Sequence, residues 1–86
     1  MSNRETLKAD LKRMIVERCF LDLDPEDLED DAPLMSTYGI DSVALFEIVV
    51  GLEEEYGVTV EEEEFSLDLF ATVNAIADLV ECKRAE

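Results

Sequence analysis

The sequence contains no histidine and no tryptophan, and it holds only seven Lys and Arg against 23 Asp and Glu. Glycine, proline and cysteine are also scarce, at three, two and two among 86 residues. Each shortage excludes something. Without His there is no imidazole base, no His metal ligand and no Ser-His-Asp triad. A formal net charge of −16 is the reverse of what displaces counterions from phosphates, so nucleic acid is excluded as a partner and basic surfaces are favoured. Cys19 and Cys82 form no CxxC pair; they read as two buried, reduced cysteines of a cytosolic protein and not as a disulfide. No apolar run approaches the roughly 18–20 residues of a membrane span, and Met1-Ser2-Asn3-Arg4-Glu5 does not have the pattern of a signal peptide. A cytoplasmic location and no membrane span are expected. The length fits one domain, residues 1–86, and a chain this short buries only about 60% of its unfolded surface, which leaves little room for an enzyme with its own cleft.

What is present is a hydrophobic content of 48%, too high for an acidic disordered tail. The charge is strongly segregated. Residues 1–18 carry five cations (Arg4, Lys8, Lys12, Arg13 and Arg18) against three acids, whereas residues 19–82 carry 19 acids and no Lys or Arg. Such a single-sign stretch repels itself, which costs stability, but it also steers a positively charged partner.

Hydrophobic periodicity then organises the chain. Leu7, Leu11, Met14, Ile15 and Cys19 lie on one helical face, which predicts a first helix at about residues 3–19. Pro25, Pro33, Gly39 and clusters of acids break any period over residues 20–41, giving a long loop. Leu28, Leu34, Met35, Tyr38 and Ile40 are the apolar residues available to pin it to the core. Asp41-Ser42 opens a helix over about 42–56 that Gly57 closes. Val58-Thr59-Val60 reads as a short extended piece, and 61–65 as one turn of helix with acids at its N-terminus. Thr72 caps a last helix whose apolar face is Val73, Ile76, Ala77 and Val80. The expected fold is all-α: a small four-helix bundle of three principal helices and one short one, with a long loop between the first two.

The helix after Ser42 has two apolar faces. At about 100° per residue, Leu45, Ile48, Val49, Leu52 and Tyr56 form an ordinary core stripe. Val43, Phe46 and Val50 form a second stripe roughly 130–140° away, flanked by Glu47, Glu53 and Glu54. Either another element covers that stripe, or it is an exposed apolar strip rimmed by carboxylates, suited to a partner with a greasy groove and basic edges. The second alternative is favoured. Ser42 lies at the first turn of the same helix, where most serines merely start the helix; the free N–H groups and the dipole there also stabilise an attached phosphate. Asp41 beside it can cap the helix.

Three motifs carry a resemblance. Leu34 with Gly39-Ile40-Asp41-Ser42-Val43, then Glu47 with Glu53-Glu54-Glu55-Tyr56-Gly57, then Phe70-Ala71-Thr72-Val73-Asn74-Ala75-Ile76 together resemble the acyl carrier proteins from about residue 5 to 82. The resemblance implies that Ser42 carries 4′-phosphopantetheine, attached from coenzyme A by a phosphopantetheinyl transferase, and that the arm's thiol holds acyl intermediates as thioesters for enzymes of fatty-acid or polyketide-like pathways. It implies a carrier and not an enzyme, and docking on basic surfaces of acyl-processing enzymes through Asp41, Val43, Phe46, Glu47, Val50, Glu53 and Glu54. Leu45, Ile48 and Val49 become lining positions for an acyl chain folded into the bundle. A free-standing, monomeric carrier is expected. Val43 stands where the family usually has Leu, Ala44 where an acid is often found, and Phe46 is bulkier than expected; with the Asp-Ala-Pro-Leu-Met-Ser-Thr-Tyr-Gly stretch these point to a specialised pathway.

Two other readings compete. Asp22-Leu23-Asp24-Pro25-Glu26-Asp27 suggests calcium, but an EF-hand loop from Asp22 needs Gly sixth and Glu twelfth, where Asp27 and Pro33 stand. At most, weak divalent-cation binding by clustered carboxylates remains. The other reading is an acidic protein-interaction module in which Ser42 carries nothing.

Overall fold

The computed structural model of the protein describes residues 4–61 and 63–84. Four α-helices carry the architecture: α1 (Arg4–Arg18), α2 (Leu34–Tyr38), α3 (Ser42–Tyr56) and α4 (Val73–Arg84). Single 3₁₀ turns at Pro25–Asp27 and Leu67–Phe70 punctuate the connections. Among the described residues there is no strand, so the all-α bundle expected from periodicity is the fold.

Each long helix forms where apolar spacing and end signals coincide. On α1 the i, i+4, i+7, i+8 set of Leu7, Leu11, Met14 and Ile15 is buried, as an amphipathic helix requires. On α3 the buried set is Leu45, Ile48, Gly51 and Leu52. On α4 it is Val73, Ile76, Ala77, Leu79 and Val80, with the Thr72 Oγ1 accepting from the Ala75 amide at 3.0 Å as the N-cap. These faces, together with Leu28, Leu34, Ile40, Val58 and Phe70, make one core. Gly57, at φ 66°, closes α3 in the left-handed conformation that glycine adopts without strain.

The short elements are where expectation and structure part. Residues 20–41 are not one irregular loop; they contain the Pro25–Asp27 turn and the five-residue α2. No hydrophobic period is legible over so few residues. What secures α2 is tertiary: the Leu34 side chain is fully buried and its amide donates to the Ala71 carbonyl at 2.8 Å. Of the apolar residues available to pin this segment, Leu28, Leu34 and Ile40 are buried and Tyr38 is half-buried, but Met35 is exposed. The short helix is therefore at 34–38 and not at 61–65. There the described residues form a turn in which the amides of Glu64 and Phe65 donate to the Glu61 carbonyl. Glu62, and Asn3 at the expected start of the first helix, lie outside the described residues. Both cysteines are free thiols, yet only Cys19 is partly buried; Cys82 is exposed, because it lies off the buried face of α4.

Polar contacts between elements tie this frame together. Lys8 and Lys12 of α1 both reach the Asp30 carboxylate, at 2.8 and 2.6 Å, and hold it below the usual carboxylate range. The Asp30 carbonyl accepts from the Asn74 amide at 3.1 Å, while the Asn74 side chain donates to Asp31. The connection between α1 and α2 is thus fastened to α1 and α4 at one node. Farther along, Arg4 pairs with Asp78 and Glu81 of α4, and Lys83 pairs with Glu64 at 2.6 Å.

Candidate functional site

Ser42 is the first residue of α3 and is exposed. Asp41 is the N-cap: its Oδ1 accepts from the Ala44 amide at 2.9 Å, and its carbonyl accepts from the Leu45 amide at 3.0 Å. Among the described residues, the amides of Ser42 and Val43 have no such partner. An exposed hydroxyl therefore stands at the positive end of a 15-residue helix with two amides available to an anion, the circumstance that favours a phosphate ester. The preceding Gly39, at φ 70°, turns the chain from α2 so that buried Ile40 anchors the approach to Ser42.

Below Ser42, the second stripe of α3 is open to solvent. Val43, Phe46 and Val50 are 71%, 56% and 41% exposed, while Leu45 and Ile48 on the other face are fully buried and Val49 is half-buried. The two-faced reading of the helix is therefore right, with one qualification. Phe46 stacks on Phe65 at 5.1 Å between ring centroids, and Phe65 on fully buried Phe70 at 5.3 Å. This ladder braces one edge of the strip from the core, and nothing in the spacing around Phe65 signals it.

The carboxylates of the strip differ in their surroundings. Glu53 has no cation within ion-pair distance among the described residues. Glu47 and Glu54 do: Arg18, from the end of α1, lies 3.9 Å from Glu47, 2.7 Å from Glu54 and 3.7 Å from Glu55. Gly51 makes this possible. A Cβ there would stand 2.5 Å from the Met14 sulfur and 2.7 Å from the Arg18 Nε, so α1 and the Arg18 side chain cross α3 where it has no side chain. Sequence reasoning missed both residues; a glycine in the middle of a strongly apolar helix is the signal that could have found them.

Cys19 lies against the same turn, its Sγ 3.8 Å from the Ala44 carbonyl. Burial, with the charges of Glu47 and Asp41, pushes its thiol up to about 11, so it stays protonated at neutral pH and is a poor nucleophile. Among the described residues no group of three or more His, Cys, Asp or Glu is placed to hold a metal ion, and no helix is long and apolar enough to cross a membrane.

Comparison with known proteins identifies a family and a fold. The family described as "Phosphopantetheine attachment site" matches residues 10–80. The acyl carrier protein of Thermotoga maritima is 31% identical over 83 residues, covering 96% of this chain and 98% of the relative. A chloroplastic acyl carrier protein 1 of Casuarina glauca is 54% identical over 46 residues, which is 54% of this chain and 32% of that protein. The chain thus spans about a third of the length of that plant relative. A solution structure of a holo acyl carrier protein from Nitrosomonas europaea superposes over the whole of both chains with a TM-score of 0.81 at 22% identity, a likeness of fold.

Proposed function

The chain belongs to the acyl carrier proteins, a phosphopantetheine attachment-site family, and on that premise we propose that Ser42 carries the 4′-phosphopantetheine of this protein. The observation that carries the reading is the exposed Ser42 hydroxyl at the capped N-terminus of α3, with two amides in place for the phosphate. Attachment forms a P–O bond to the Ser42 Oγ and breaks one P–O bond in the pyrophosphate of coenzyme A, whose adenosine bisphosphate portion leaves. The hydroxyl proton goes to a base of the transferase. Once attached, the group supplies a terminal thiol that holds an acyl chain as a thioester. The chain's own tasks are to present that group and to be recognised.

Recognition falls to Asp41, Val43, Phe46, Glu47, Val50, Glu53 and Glu54, an apolar strip with an acidic rim that suits apolar grooves with Lys and Arg edges on the transferase and on acyl-processing enzymes. Leu45, Ile48 and Val49, on the opposite face, are positioned to line an acyl chain folded into the bundle. The substrates are acyl intermediates of a fatty-acid or polyketide-like pathway. Val43, Ala44 and Phe46 adapt the face to a dedicated set of enzymes. Residues 1–86 act as one domain, since all four helices contribute to one core, and as a monomer, because copies with a net charge of −16 repel one another. Two free thiols suit a reducing cytoplasm.

The test is intact mass after incubation with coenzyme A and a broad-specificity phosphopantetheinyl transferase. Wild type should gain a single phosphopantetheine and Ser42→Ala none, with unchanged helical circular dichroism. A wild type left unmodified by several transferases overturns the reading in favour of an interaction module.

A further inference from the structure

Three helices of this protein end by turning the backbone into the left-handed region. Two do so on glycine, α2 at Gly39 (φ 70°) and α3 at Gly57 (φ 66°); α1 does so on Phe20 (φ 54°). The hydrogen bond from the Leu21 amide to the Val16 carbonyl, 3.1 Å, marks the same kind of helix stop, one in which the left-handed position is usually glycine. A bulky side chain is strained there. Packing does not relieve that strain, because Phe20 is 91% exposed, the most exposed large hydrophobic residue described. An aromatic ring is held outwards at a position where glycine fits better.

The neighbours of Phe20 fix where its backbone lies. The Arg18 side chain extends along α3 from Glu47 to Glu54, and the Cys19 sulfur lies 3.8 Å from the Ala44 carbonyl. One Cα step further, about 3.8 Å, the Phe20 backbone follows a residue that packs on the first turn of α3, the helix that begins at Ser42. Exposed acids lie on the two segments: Glu17, Asp22 and Asp24 on its own, and on α3 Asp41 and Glu47, the last paired with Arg18. An exposed aromatic on an acidic segment fits an apolar pocket with Lys and Arg at its edge.

We propose that Phe20 is a second docking anchor, separate from the α3 strip, for the transferase that modifies Ser42. This rests on the reading of Ser42 given above. The transferase is the fitting occupant because its reacting phosphorus must come within bonding distance of the Ser42 Oγ, so its footprint covers this end of the bundle. An enzyme that acts on the thiol at the tip of the arm has no such constraint.

The experiment uses the full chain, coenzyme A and a broad-specificity phosphopantetheinyl transferase, with initial rates read by mass and unfolding followed by circular dichroism. Phe20→Asn places a residue that accepts the left-handed conformation. It should leave Tm unchanged or raised, leave kcat within about two-fold, and raise KM about ten-fold, the size expected for an aromatic anchor. Phe20→Tyr should keep KM near wild type. A KM for Phe20→Asn within two-fold of wild type overturns the inference while leaving Ser42 as the attachment site. A fall in Tm for Phe20→Asn also overturns it, since the ring would then be a structural element. A wild type that takes up no phosphopantetheine overturns both.

Discussion

Asp30 and Glu53 are both carboxylates in a chain of net charge −16, and the fold treats them in opposite ways. Asp30 lies between Lys8 and Lys12 at 2.8 and 2.6 Å, at the node that joins the α1–α2 connection to α1 and α4. Glu53 lies beside an exposed apolar strip with no cation within ion-pair distance among the described residues. The few cations of the chain are concentrated on α1, and on that side of the bundle acids hold the structure together. On the α3 face the acids outnumber the cations, so their field is directed outward. Arg18 marks the border: it touches Glu47, Glu54 and Glu55 at once and neutralises one flank of the strip, leaving the Glu53 flank as the stronger attractor for a basic partner.

The largest effect should come from reversing the outward-facing charge. Glu47→Lys with Glu53→Lys is expected to lower kcat/KM for the transferase about 10- to 100-fold at low salt, a loss that shrinks as ionic strength rises. Rates that show no salt dependence in either protein would mean that the two surfaces do not differ in this way. The structural acid should behave differently. Asp30→Asn is expected to cost about 1 kcal/mol of stability, after allowance for partial solvent screening, and to leave the modification rate within about two-fold. Because Lys12 and Lys8 depress the Asp30 carboxyl in the folded state, its contribution is present above its unfolded pKa, near 4. That contribution is lost as pH falls through the lower folded value. Denaturant midpoints measured from pH 6 downward should therefore converge for wild type and Asp30→Asn in acid; parallel curves would show that this carboxylate is not the linked group. The smallest effect tests the border. Arg18→Gln releases Glu47, Glu54 and Glu55 and should lower the transferase KM about two- to three-fold at low salt. A higher KM would show that Arg18 itself contacts the partner.

The legible and illegible parts of the fold divide by length. The α1, α3 and α4 helices were readable because each repeats an apolar face over three or more turns between recognisable ends, such as Asp41 and Gly57 on α3. The five residues of α2 cannot repeat anything, and their order depends on Leu34 entering a core built by the other helices. The same reason explains Met35 and Cys82, two residues whose exposure follows from how α2 and α4 are turned, not from their own chemistry. At the candidate site, Ser42, its Asp41 cap and the second stripe of α3 are local features and were visible. The Arg18 crossing over Gly51 joins residues 33 positions apart, and the Phe46–Phe65–Phe70 ladder joins three segments. No local spacing announces either.

By itself, then, the sequence determined that a small acidic helical bundle would present a serine at a helix start above an apolar strip, because helical period, capping chemistry and net charge are properties of neighbouring residues. Only the tertiary structure decided which of the acids are spent on internal ion pairs and which face a partner, and that Phe20 points outwards. Those outcomes depend on distances between segments far apart in the chain, and Coulomb attraction and close packing act through space.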